Sequence, residues 1–141
     1  ELVPLLQAKL KPAALAPAMV FHPPCTLRHG QQLKGGIEKH LGALGFTLRT
    51  AQNEAHLCCG SAGTYSVLQP AIALQLRDRK LGHLAQAQAQ MQAHRQAQAP
   101  ANTLTQEAVI VSANIGCITH LQSGTATPVR HWVEVLDQAL A

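Results

Sequence analysis

The sequence has 141 residues, of which 47% are hydrophobic and 3% are aromatic, and its formal net charge is +4. This length suits a single domain with one core, and the few aromatic rings argue against a nucleic-acid partner. No apolar run approaches the length of a membrane span. The first residues lack a signal-peptide pattern, and we expect residues 1–17 to be a linker or helix from an upstream domain.

The first half of the chain predicts two strands with a helix between them. Residues 18–22 (AMVFH) are a short apolar run that ends at two prolines, which is typical of a buried strand. Apolar residues then recur every three or four positions over residues 33–44, and Gly45 follows where a helix would end. The short segment 46–50 (FTLRT) again favours a strand.

Two helices and a third strand are predicted next. Small residues from Gly60 onwards lead into a short helix, and Pro70 begins a second one at a position where proline is tolerated. This second helix runs into an Ala/Gln-rich insertion, residues 85–106, which we expect to be an exposed helical extension or a mobile segment. Residues 108–113 (AVIVSA) are a continuous β-branched run, which indicates a strand buried on both faces.

The end of the chain predicts two more helices. One begins within NIGCITHL, residues 114–121, and the other covers residues 128–140, where a proline precedes apolar residues at helical spacing. Strands that alternate with helices imply an α/β fold. We therefore predict a small parallel sheet of about three to four strands, flanked by helices, within a domain that covers residues 18–141.

All four cysteines follow predicted strands. Cys25 comes after the first strand, Cys58 and Cys59 lie in the loop after the second, and Cys117 follows the third. Because ligand sites of open parallel sheets lie at the carboxyl ends of the strands, we expect the four thiols to converge on one edge. Four cysteines are too few for a disulfide scaffold, so metal or redox chemistry is the first interpretation.

The adjacency of Cys58 and Cys59 limits the kinds of metal centre that they can bind together. A disulfide between neighbouring residues closes a strained ring, and a single metal ion is an awkward partner for both Cys58 and Cys59. A polynuclear cluster is easier to bind, because the two thiolates can reach different metal atoms. Gly60 would then let the backbone pass close to the inorganic core, which makes it a candidate cofactor-binding residue.

His120 is a further candidate ligand. It follows Cys117 with C-x-x-H spacing, and positions i and i+3 of a helix share a face. Histidine binds zinc and, less often, iron–sulfur clusters, although His120 could instead pack or form a hydrogen bond nearby. We interpret His22, His29 and His56 as neighbours of the site or surface residues. For the cysteines, the alternative is that they serve only as small buried hydrophobic side chains.

Three motifs resemble a known family. They are HPPC at 22–25, LCCGSAGTY at 57–65 and SANIGC at 112–117. Together they are similar to the cysteine-rich CCG domain of the heterodisulfide reductase-like family, and the segment NIGCITHLQSGTATPVRHW is most similar to the iron–sulfur subunits of glycolate oxidase. The resemblance runs from about Met19 to the end of the chain, except for the Ala/Gln-rich insertion.

The resemblance implies an iron–sulfur subunit that transfers electrons. This chain would be the second of two CCG domains, downstream of a ferredoxin-like domain of the same subunit. It would relay electrons from flavin-containing (FAD) glycolate oxidase subunits, which convert glycolate to glyoxylate, towards the quinone pool. Cys25, Cys58, Cys59 and Cys117 would bind the metal, and no catalytic residue is assigned. A cytoplasmic location is implied, and peripheral association with the inner face of the plasma membrane is left open.

The sequence departs from the family pattern at its last position. The family ends in C-x-x-C, whereas His120 occupies the final position here. This departure argues against a non-cubane cluster and leaves a [4Fe–4S] cluster, zinc or an empty site as alternatives. A structural zinc-binding or metal-free docking module of the same complex is therefore the alternative function. A third alternative is thiol–disulfide chemistry between Cys25 and either Cys58 or Cys59.

Overall fold

A parallel β-sheet forms the centre of the computed structural model, which describes residues 2–10, 18–98 and 108–140. The strands are Met19–His22 (β1), Leu48–Thr50 (β2), Val109–Ser112 (β3) and Val129–His131 (β4). They are arranged in the order β2-β1-β3-β4, and each neighbouring pair is parallel. The predicted α/β fold with a small parallel sheet flanked by helices is confirmed.

Helices connect the strands, as parallel pairing requires. The α-helices are Leu2–Gln7 (α1), Gly36–Ala43 (α2), Tyr65–Leu68 (α3), Pro70–Gln98 (α4), Ile115–Gln122 (α5) and Trp132–Ala139 (α6). A π-helical turn, Thr26–Gly30, follows β1. Within the described ranges, no helix combines the length and the apolar character needed to cross a membrane.

One side of the sheet, which we call the packing face, is covered by apolar side chains. Successive side chains of a strand point to opposite faces, and Met19 and Phe21 of β1 point to this one. The buried residues packed around them are Leu41, Leu44, Phe46, Val109, Val111, Val135, Leu136 and Ala139. Leu6 and Leu10 also pack against this group, while the assignment of residues 1–17 to an upstream domain stays a prediction and residues 11–17 lie outside the described ranges.

The opposite side, which we call the cysteine face, combines apolar and polar side chains. Its buried apolar cluster consists of Val20, Ala51, Cys59, Leu84, Ala87, Ile110, Cys117, Leu121 and Val129. Strand alternation and the inward-facing stripe of α4 also place buried polar side chains here. These are His22, Lys80, Gln88 and Ser112.

The C-terminal segment differs from its prediction. The sequence predicts a helix from Pro128, but the structure forms β4 first and α6 begins at Trp132. Val129 lies opposite Ile110 of β3 in a parallel ladder. The physical reason is that the open edge of β3 offers backbone hydrogen-bond partners to this segment, and this tertiary context outweighs a short helical pattern.

The first part of the Ala/Gln-rich insertion belongs to α4. This helix extends to Gln98, and Ala87, Gln88 and Met91 are buried. The small alanine side chain lets this face of the helix approach its neighbours closely, while the other described side chains between residues 85 and 98 are exposed. Residues 99–107 lie outside the described ranges, and the boundaries of the insertion stay a prediction.

Candidate metal centre

The neighbouring strands β1 and β3 place two of the cysteines. β1 ends at His22, and Cys25 follows it directly before the π-helical turn. After β3, Asn114 caps α5, because its side-chain oxygen accepts hydrogen bonds from the backbone amides of Gly116 (2.9 Å) and Cys117 (3.2 Å). Since β1 and β3 are parallel neighbours, both cysteines lie at the carboxyl edge of the sheet.

The loop after β2 places the cysteine doublet, and α4 anchors this loop. Lys80 donates a hydrogen bond of 2.9 Å to the carbonyl oxygen of Glu54. The Glu54 carboxylate accepts a hydrogen bond of 2.6 Å from Nε of Arg79, and it lies 2.7 Å from Nε2 of His83. These contacts with α4 hold the loop that leads to Cys58.

The inner part of the site consists of His22, Cys59 and Cys117. One ring nitrogen of His22 and the two sulfur atoms all lie within 4.8 Å of one another, and all three residues are buried. The hydroxyl oxygen of Ser61 lies 3.1 Å from Sγ of Cys59 and 3.7 Å from Sγ of Cys117. Ser61 therefore links the two inner sulfur atoms.

Cys25 and Cys58 form the outer, half-buried part of the site. Burial raises the pKa of Cys25 to about 11, and the neighbouring thiol of Cys58 adds to this effect. Cys59 and Cys117 also interact electrostatically with Cys25, and the amide of Gly60 donates a hydrogen bond of 3.3 Å to Sγ of Cys58. The structure thus brings the four cysteines together at the carboxyl ends of the strands.

The pKa values of the two inner cysteines are shifted in opposite directions. A hydrogen bond from Cys117 lowers the pKa of Cys59, and the nearby imidazole of His22 and hydroxyl of Ser61 act in the same direction. The pKa of Cys117 is raised because its thiol donates to Cys59 and because it is buried. Of these two sulfur atoms, Cys59 is therefore the one that holds negative charge more readily, and thiolate is the form that binds metals.

Lys80 brings a cationic side chain to the same edge. Its side chain is only 1% exposed, and burial lowers its pKa, while the nearby sulfur atoms of Cys25 and Cys59 act in the opposite direction. A buried positive charge beside thiolates offsets part of their mutual repulsion. The Lys80 ammonium group therefore stabilises the thiolate forms of the nearby cysteines.

Gly60 is required by its contact with α4. Its φ of +92° lies in the region that favours glycine, and a Cβ atom here would meet the carbonyl oxygen of Ala73 at 2.4 Å. The chain can therefore turn beside α4 immediately after Cys59. The predicted approach of Gly60 to an inorganic core stays a prediction.

His120 reaches a different partner from the one predicted. Its Nε2 atom lies 3.1 Å from the carbonyl oxygen of Ala73 in α4, and the compact ligand group described above contains His22 in its place. The shared helical face with Cys117 is therefore not sufficient to direct the imidazole to the sulfur atoms. Metal binding by His120 stays a prediction without support from this geometry.

The donor atoms fit a metal ion or an iron–sulfur cluster. The four cysteines are free thiols, and thiolate sulfur with imidazole nitrogen is the ligand chemistry of both zinc and iron–sulfur sites. In the part of the chain that the structure describes, the buried Nε2 atom of His22 has no hydrogen-bond partner. Such atoms are rare in folded proteins unless a partner such as an ion or water satisfies them.

Two residues of this site were not predicted from the sequence. His22 was interpreted as a neighbour of the site, yet it ends β1 on the same face as Val20, and that alternation was a usable signal. Lys80 carried no local signal, because only the packing of α4 against the sheet brings it to the cysteines. The sequence therefore predicted that the cysteines meet at one edge, but not which other side chains surround them.

The fold and the cysteines define the class to which the chain belongs. The model of the CCG cysteine-rich domain matches residues 19–122, which is most of the chain, and this chain belongs to that family. It is also similar to the glycolate oxidase iron–sulfur subunit of Escherichia coli (strain K12), with 48% identity over 122 residues. The matched region covers 86% of this chain and 25% of that relative, so the chain spans about a quarter of the relative's length.

Proposed function

We propose that this chain is the CCG domain of a glycolate oxidase iron–sulfur subunit and relays electrons from flavin-containing subunits towards the quinone pool. The observation that carries this proposal is the convergence of four free thiols at one edge of the sheet. The similarity to a glycolate oxidase iron–sulfur subunit supports the choice of complex. Oxidation of glycolate to glyoxylate is assigned to the FAD-containing partners.

Cys25, Cys58, Cys59 and Cys117 would hold the cluster. An iron–sulfur cluster, when bound, supplies reversible electron transfer at a potential set by its charge, hydrogen bonds and exposure. The chain contributes fixed sulfur positions, a buried wall that limits water, and the cationic side chain of Lys80. Because the outer cysteines are half-buried, the same edge is accessible to the upstream ferredoxin-like domain or to a partner subunit.

The test is metal analysis of the chain prepared without oxygen. We expect iron and acid-labile sulfide in a fixed ratio, with an EPR signal that appears in one redox state. Cys59→Ser should lose most of this iron, whereas Ser66→Ala in α3 should retain it. Iron that stays bound in Cys59→Ser would contradict the assignment of the cysteine site.

A structural zinc site is the second candidate, and the compactness of the inner group favours it. In tetrahedral sites the Zn–S distance is about 2.3 Å, which places two sulfur ligands about 3.8 Å apart, and the inner donor atoms lie within 4.8 Å of one another. Zinc has no redox chemistry, so the domain would then serve as a docking module. Stoichiometric zinc without iron in the anaerobic preparation would replace electron relay with this function.

A further inference from the structure

We propose that His22 is a metal ligand of this site and contributes a ring nitrogen beside the sulfur atoms of Cys59 and Cys117. This inference rests on the proposed metal centre and identifies a ligand that the spacing of the cysteines does not reveal. A ring nitrogen of His22 and the two sulfur atoms lie within 4.8 Å of one another. A modest closing of the group around an ion would bring all three into bonding distance.

The environment of the His22 imidazole favours a bound ion. His22 is 1% exposed, and its Nε2 atom has no hydrogen-bond partner among the described residues. A buried polar atom without a partner is costly, and a bound ion is one of the few groups that can satisfy it. The thiols beside the ring are themselves metal ligands, so the same ion can satisfy all three groups.

The backbone position of His22 in the sheet is rigid. His22 is the last residue of β1 and lies opposite Ser112 of β3. Its carbonyl oxygen also accepts a hydrogen bond of 3.0 Å from the Ser112 hydroxyl. The backbone that carries this side chain is therefore held in place before a metal arrives, and precise metal sites are built on such rigid elements.

His22 and His120 differ in the hydrogen bonding of their Nε2 atoms. Its Nε2 atom already has a partner, the carbonyl oxygen of Ala73 at 3.1 Å, whereas the Nε2 atom of His22 has none among the described residues. To bind metal, His120 would have to leave this partner, and His22 would not. We therefore assign the nitrogen ligand to His22 of β1 and not to His120 of α5.

The test is X-ray absorption of the chain at the edge of the metal that it binds. The expected spectrum contains imidazole nitrogen in addition to sulfur, and this readout works for iron and for zinc because their bonds to nitrogen are shorter than those to sulfur. His22→Ala should lose the imidazole contribution and bind metal at least about 100-fold more weakly, since even outer-shell changes cost 10- to 100-fold. His120→Ala and the exposed His56→Ala should retain it.

A second variant covers the case in which His22→Ala does not fold. His22→Cys keeps a ligand at the position, and we expect it to bind metal with sulfur ligands and no imidazole. Two results would overturn the His22 assignment and leave the cysteine site intact. One is a wild-type spectrum with sulfur ligands alone, and the other is an imidazole signal that disappears in His120→Ala. Zinc with imidazole supports His22 but removes electron relay, and a chain that takes up neither metal overturns both.

Discussion

The two faces of the sheet differ in what their buried side chains do. The packing face is built from apolar residues such as Met19 and Phe21. Alternating with them along the same strand, Val20 and His22 point to the cysteine face, where buried polar groups accompany the apolar cluster. Apolar burial is the main favourable term in folding, whereas buried polar groups are costly unless satisfied. The packing face therefore provides stability, and the cysteine face gives up part of it to hold reactive groups.

The largest effect should come from the packing face. Phe21→Ala removes a ring that is 1% exposed, and such substitutions cost about 3–5 kcal/mol of the free energy of unfolding. Urea unfolding of the metal-free chain measures this loss. As the control, Leu33→Ala truncates a side chain that is 58% exposed and should change stability by less than about 0.5 kcal/mol. Equal losses in the two variants would contradict the role assigned to this face.

Gly60 affects both the stability of the fold and the metal site, because it follows Cys59 directly and contacts α4. Gly60→Ala would place a Cβ atom 2.4 Å from the carbonyl oxygen of Ala73 at a φ of +92°. Gly63 is the matched control, because its φ is +49° and nothing lies within 4 Å of a Cβ atom there.

We expect Gly63→Ala to lose about 1 kcal/mol from backbone conformation alone, and Gly60→Ala to lose more because of the added clash. Urea unfolding separates the two variants, and metal content of Gly60→Ala should also fall. If Gly60→Ala is as stable as Gly63→Ala, the close contact with α4 is not a constraint.

Much of this arrangement could be predicted from the sequence. The run around Val20 and the β-branched run around Ile110 indicated buried strands, and parallel topology then required Cys25 and Cys117 to meet at one edge. The direction of the strands alone determines this meeting point, whatever the packing of the side chains.

The remaining features depend on packing that local patterns do not contain. The rotation of α5 directs His120 to Ala73, and helical spacing could not reveal this. Lys80 lies beside the cysteines only because α4 crosses the cysteine face. β4 is three residues long, and its pairing with β3 overrides a sequence that reads as the start of a helix.

Lys80 should contribute little to stability despite its complete burial. Lys80→Met removes a hydrogen bond of 2.9 Å to the Glu54 carbonyl oxygen but also removes the cost of burying a charge. These effects oppose each other, so the free energy of unfolding of the metal-free chain should change by no more than about 1 kcal/mol. Lys39→Met, at an exposed position, is the control for loss of charge in urea unfolding. A loss as large as that of Phe21→Ala would mean that Lys80 is a structural residue.

The smallest effect should come from Glu54, at the rim of the cysteine face. Hydrogen bonds from His83 and then from Arg79 lower the pKa of its carboxyl group. A carboxyl group with a lowered pKa stabilises the fold above its ordinary titration range, and this contribution is lost as the pH falls through the folded-state pKa. Glu54→Gln should therefore be slightly less stable than the wild type near neutral pH, and the difference should vanish in acid. Urea unfolding across this pH range measures how the difference in stability changes. Asp137→Asn, at an exposed carboxylate, is the control. A difference between Glu54→Gln and the wild type that grows in acid would show that the Glu54 carboxylate does not anchor the loop.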